Sequence, residues 1–128
     1  MDKLYNLGFG RWENGKLVLT NIEKHYCYEN GLIKEDINLN EKEMEIYKIY
    51  KYIRDKGYVV KPTNYGYLRV YRKGYTKYEK HRLKYLVKIV NENKLNIKED
   101  LDMIYKTRAK LVYAFPNLTF IKCEYIEF

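Results

Sequence analysis

The apolar positions of this chain do not keep one period, and the changes of period mark its elements. Ile46, Ile49, Tyr50 and Ile53 follow helical spacing, with Asn40 placed to cap the segment, Glu43 three residues on, and Gly57 to close it. After Gly57 the period shortens. "YVVK" and "YLRVY" read as strands, with Pro62, Asn64 and Gly66 turning the chain between them. "KYLVKIV" is a third strand, apolar enough to lie in the middle of a sheet. Asn96 with Glu99 opens a further helix that carries Leu101, Ile104 and Tyr105 on one face. "KLVYAF" and "LTFIKCEYIEF" are two more strands around a tight turn at Pro116-Asn117. Upstream, "GRWENGKLVLT" predicts a hairpin turning at Asn14-Gly15, and Thr20 with Glu23 predicts a capping box on a short helix that closes near Gly31.

The order helix, three strands, helix, two strands predicts an α/β (α+β) domain, a small mixed sheet flanked by helices. The polar stretch "IKEDINLN" divides a short N-terminal α/β unit, residues 1–39, from the main body, residues 40–128.

Composition narrows the partners. The 128 residues suffice for one good core, and 16 tyrosines supply apolar mass despite 33% charged residues. The formal charge is +8, a balance that suits a polyanion, nucleic acid above all. A lysine-rich proteome gives the same excess, and the absence of Ser and Gln points to such a bias. Cys27 and Cys123 stand far apart, with no Cys/His cluster for zinc, and read as small core residues in a reduced compartment. No long apolar run or leader pattern is visible, so the expected chain is soluble and cytoplasmic, with no membrane contact.

Chemistry on a polyanion could follow two routes. A metal-dependent nuclease needs clustered carboxylates, and here they are scattered; Glu92-x-Lys94 is only a faint echo of such a site. Phosphate-loop, dinucleotide and nucleophile-elbow motifs are absent. Metal-free cleavage of RNA remains, with no cofactor. The 2′-hydroxyl is the nucleophile, and the protein supplies a base, an acid and a cation for the crowded phosphate. His81, one of two histidines, suits the acid. Tyr71 suits the base if cations such as Arg69, Arg72 and Lys73 depress its pKa, ordinarily about 10. On these residues alone, surface positions and a reactive pair are both open.

The run "IYKYIRDKGYVVK", a Gly-containing turn, "VYRKG", a histidine, "YLVKIV", a helix, "TRAKLVYAF" and a closing strand resembles the catalytic domain of archaeal tRNA-splicing endonucleases. The resemblance covers about residues 43 to 128. It extends more weakly to "LYNLGFGRWENGKLVLTNIEKHYCYENGLI", which looks like the end of that family's N-terminal domain without its first part. It implies a triad: Tyr71 as general base, His81 as general acid and Lys110 stabilising the transition state. An ungapped alignment instead puts Arg82 in the histidine's place and Ala109 in the lysine's. A bulge or insertion at the strand entrances would restore the triad.

The resemblance further implies a precursor tRNA substrate read by shape at a bulge-helix-bulge, cut to a 2′,3′-cyclic phosphate and a 5′-hydroxyl. Arg69, Arg72, Lys73, Lys77, Lys80, Arg82 and Lys84 are expected on the RNA, with Arg108 a loose match for an arginine that grips a bulge base. Relatives that dock a partner carry a longer acidic loop between the last two strands, which Phe115-Pro116-Asn117-Leu118 lacks. That favours the catalytic half of an α2β2 heterotetramer whose second, different subunit brings the loop. The alternatives are a non-catalytic subunit of the same enzyme, or a basic RNA-binding module without activity. The closing strand, an exposed edge in a monomer, is expected to pair across subunits.

Overall fold

A computed structural model describes residues 3–63, 66–72, 83–90, 97–107 and 109–123. It contains four helices and seven strands among these: α1 (Lys3–Asn6), β1 (Arg11–Glu13), β2 (Lys16–Val18), α2 (Asn21–Glu29), α3 (Glu41–Asp55), β3 (Val59–Pro62), β4 (Tyr67–Tyr71), β5 (Leu83–Ile89), α4 (Ile97–Thr107), β6 (Lys110–Ala114) and β7 (Phe120–Cys123). The order from α3 onward is the predicted one.

Local signals act where the sequence puts them. β1 and β2 pair antiparallel across Asn14-Gly15, both at positive φ. Thr20 and Asn40 each accept from the backbone three residues on, while Glu23 and Glu43 reach back to the cap. Gly57, at φ 99°, ends the α3 turn as only glycine does cheaply.

The main sheet runs β3-β4-β5-β6-β7 and is antiparallel except for β5 and β6. A parallel pair needs a crossover, and α4 provides it. β5 lies at the centre, as its apolar run predicts, and β7 is an edge. One irregularity breaks the ladder. Val70 pairs with Tyr85 but Tyr71 pairs with Leu83, so Lys84 is an extra residue bulged out of β5.

Strand alternation divides the core. On one face, Val60, Leu68, Val70, Val87, Val112 and Ala114 pack with Tyr47, Ile49 and Tyr50 of α3, and Ile22 of α2 joins them. On the other face, Ile104 of α4 packs on Val90, Leu111 and Tyr113. The expected inner face of α4 is corrected here: Leu101 is 42% and Tyr105 85% exposed, and Ile97 is exposed with them. Asp100, fully buried, points at the sheet instead. It accepts from Tyr67 on β4 (2.5 Å), Lys88 on β5 (2.9 Å) and Tyr113 on β6 (2.7 Å). Three donors from three strands satisfy a carboxylate that would otherwise be costly to bury.

Candidate functional site

The C-terminal end of β4 and the N-terminal ends of β5 and β6 meet at one end of the sheet, which gathers Tyr71, Leu83 and Lys110 there. On the α4 side of β3 and β4 the N-terminal hairpin stands as a wall. Lys61 of β3 donates to the Gly10 carbonyl (2.7 Å), Gly10 donates to Glu23 (2.7 Å), and Arg54 donates to the Leu7 carbonyl. Arg54 also lies 4.1 Å from the Phe9 ring centroid. Gly8 fits because it has no Cβ, which would come within 2.9 Å of Val59.

Between wall and sheet runs a cleft of about 750 Å³. Arg11, Lys61, Arg69 and Tyr71 line it, with Tyr67 and Leu86 among its apolar surfaces and Glu23 its carboxylate. Tyr71 is 4% exposed, and the Arg69 guanidinium sits 5.8 Å from its ring centroid. Burial pushes the Tyr71 phenol above its ordinary pKa, and Arg69 pulls it back only in part. The expectation of a depressed phenol is therefore corrected: desolvation outweighs the cation.

Two other expected site residues face away. Lys84 lies on the α3 side, its ammonium 5.4 Å from the ring centroids of Tyr58 and Tyr85, because the bulge turns it with Tyr85 rather than with Leu83. Lys110 is exposed at the start of β6 and pairs with Tyr85. Its neighbour Leu111 packs toward α4, so alternation sends Lys110 to the α3 face, opposite Tyr71. Ala109 takes the Tyr71 side, buried with Tyr67 and Leu86. Arg72 is exposed where the chain leaves β4. His81, Lys73, Lys77, Lys80, Arg82 and Arg108 lie outside the described residues, as do Asn64, Asn96, Glu92, Lys94 and the last five positions of the closing strand.

Sequence reasoning missed Lys61 and Arg11. Lys61 carries a legible signal, a lysine inside an apolar strand that falls opposite Arg69 once the β3–β4 hairpin is registered. Arg11 has none, because its place depends on where the hairpin docks.

No family model matches the sequence. Curated relatives do. The tRNA-splicing endonuclease of Thermococcus kodakarensis is 30% identical over 154 aligned residues, spanning all of this chain and 89% of that protein. That of Thermococcus onnurineus is 30% identical over 154, with 100% and 88% covered. In Pyrococcus abyssi, 91 residues of the protein of that name are 37% identical, 57% of this chain and 54% of the relative. The five-stranded mixed sheet carries a helix on each face and, along β3 and β4, a cleft with three cations. The chain belongs to the tRNA-splicing endonuclease family. Among the described residues no helix is long and apolar enough to cross a membrane.

Proposed function

We propose that this chain is the catalytic subunit of a heteromeric tRNA-splicing endonuclease that cuts precursor tRNA at bulge-helix-bulge junctions. The relatives' name supports tRNA splicing. The observation that carries the catalytic role is the bulge at Lys84. An ungapped strand would bring Arg82 to the histidine's place. A one-residue gap at that bulge aligns His81 with the family's histidine instead, and Leu83, the first described residue after it, is the partner of Tyr71 across the bulge.

The reaction balances without a metal. Tyr71 acts as its phenolate, the form that Arg69 favours and burial opposes; it takes the proton of the 2′-hydroxyl, and the 2′-oxygen attacks phosphorus. The bond to the 5′-oxygen breaks, and His81 protonates that oxygen as it leaves. The products are a 2′,3′-cyclic phosphate and a 5′-hydroxyl. Arg69, on the face of Tyr71, is the described cation placed to stabilise the crowded phosphate. A heteromeric assembly is supported by the short β6–β7 turn, Phe115–Thr119, which has no carboxylate to offer a partner's basic cleft. Exposed apolar groups on the α4 side, Ile97, Leu101, Tyr105 and the edge-strand residue Ile121, fit burial against another subunit.

A second reading, a non-catalytic assembly subunit, is favoured by Ala109 on the Tyr71 face and by the burial that keeps the Tyr71 phenol protonated. One experiment decides between them. The chain is assembled with its partner subunit and given a bulged precursor tRNA in EDTA. Tyr71→Phe and His81→Ala each slow cleavage by about 10²-fold or more if both residues act in proton transfer. Full activity in both variants leaves the assembly reading standing.

A further inference from the structure

We propose that the cleft between the N-terminal hairpin and strands β3 and β4 is a subsite for the ribonucleotide next to the scissile bond, its phosphate held by Lys61 and Arg11. This rests on the reading of Tyr71 as the neighbour of that bond. It gives the N-terminal unit a substrate-binding role in addition to packing.

Three observations point to an anionic occupant. Lys61 and Arg69 are direct partners across the β3–β4 ladder and line the same cleft. Like charges placed so are unfavourable in a sheet, and an anion between them turns the repulsion into attraction. Lys61 is an incompletely used donor. Its ammonium has three hydrogens, and among the described residues its hydrogen bond goes to one neutral acceptor, the Gly10 carbonyl. Burial also disfavours its charged form, a cost that a bound phosphate removes. Glu23, the cleft's carboxylate, favours the charged form of Lys61 but only partly offsets its burial; its oxygens accept from Gly10 and from the backbone and hydroxyl of Thr20, and among the described residues it makes no hydrogen bond to Lys61.

Size and surface select a nucleotide over a small anion. About 750 Å³ is in the usual range for a small-molecule site and far exceeds a phosphate. The Tyr67 ring and Leu86 give a base an apolar surface beside the cations. Tyr71 lines the same space, so a chain entering the cleft passes the group proposed to deprotonate its 2′-hydroxyl.

The test uses the full chain and a ribotrinucleotide whose 2′-hydroxyls are replaced by hydrogen, so that it cannot be cleaved. Backbone amide shifts are followed by NMR as it is titrated at several salt concentrations. Changes are expected at Gly10, Lys61 and Arg69. Lys61→Met weakens binding about tenfold and lowers the salt dependence by about one unit of slope, and Lys61→Arg restores both. Arg11 is exposed and ion-paired with Glu13 (2.8 Å), so Arg11→Ala is a second variant that does not disturb the core; because that pair already engages the guanidinium, it weakens binding by a smaller factor. Absence of binding, shifts confined to other surfaces, or unchanged affinity in both variants overturns the subsite. If binding depends on Lys61 while Tyr71→Phe and His81→Ala cleave at full rate, the cleft stands as a nucleotide site, and its place beside the scissile bond falls with the catalytic reading. If those two variants are inactive while Lys61→Met and Arg11→Ala bind normally, the catalytic reading stands and the subsite falls.

Discussion

The two faces of the main sheet are built from opposite materials. The α3 face is a continuous apolar layer, in which Tyr47, Ile49 and Tyr50 close over Val60, Leu68, Val70, Val87 and Val112. The α4 face is polar at its centre and open at its end. Its helix is held by a buried carboxylate, and its cleft is lined by cations. One face stabilises by removing hydrocarbon from water, which is insensitive to pH and direction. The other uses directional, charged contacts, which cost more to build and hold particular side chains in particular places. The proposed chemistry lies on the second face because it needs fixed polar groups next to space.

The largest effect expected from this contrast is at Asp100. Asp100→Ala leaves Tyr67 and Tyr113 without their acceptor and Lys88 without its counter-charge. Lys88 keeps some access to water, which moderates the loss, but a cost on the order of 3 kcal/mol is expected in chemical denaturation. The damage is directional too. Tyr67 lines the cleft, so a nucleotide titration of the folded variant should show weakened binding at Lys61. A variant as stable as the parent would mean that α4 is held by Ile104 and its apolar contacts alone.

A milder probe of the same face is acid. Burial by itself would raise the Asp100 pKa, but the hydrogen bonds from Tyr67, Tyr113 and Lys88 outweigh it and hold the carboxyl below its ordinary value. A group lowered in the folded state adds stability that is fully present above its unfolded pKa, about 4, and is lost as pH falls through the folded value. The midpoint of urea unfolding should therefore drop from pH 6 toward pH 3. Asp100→Asn should flatten that slope. An unchanged slope in Asp100→Asn would assign the acid sensitivity to other carboxylates.

The same contrast explains how much the sequence discloses. The α3 face was legible from periodicity, because apolar burial needs only the right spacing. Both capping boxes and the Asn14-Gly15 turn were legible, because each is complete within four or five residues. The α4 face was not. Leu101 and Tyr105 look like the buried stripe of a helix, yet Asp100 is inside, since its three donors arrive from strands far apart in the chain. Lys110 is one residue from the Tyr71 face, and only its neighbour's packing reveals which side it takes. The bulge that supports His81 needed two strands in register before it existed.

The smallest effect tests the apolar face by its one misplaced atom. The Tyr50 side chain is fully buried against Val60 and Val70, with Tyr26 edge-on at 5.6 Å, and among the described residues its hydroxyl has no hydrogen-bond partner. Burial accordingly pushes its phenol well above the ordinary pKa. A buried hydroxyl without a partner costs roughly 1–3 kcal/mol of desolvation, and its removal leaves a small void that costs part of that back. Tyr50→Phe should therefore be neutral or stabilising, by up to about 1 kcal/mol in denaturant unfolding. The matching change on the other face, Tyr67→Phe, should destabilise, because it deprives Asp100 of a donor. If Tyr50→Phe also destabilises, a water or a partner subunit satisfies that oxygen, and the α3 face is not the purely apolar layer that sets it apart from its opposite.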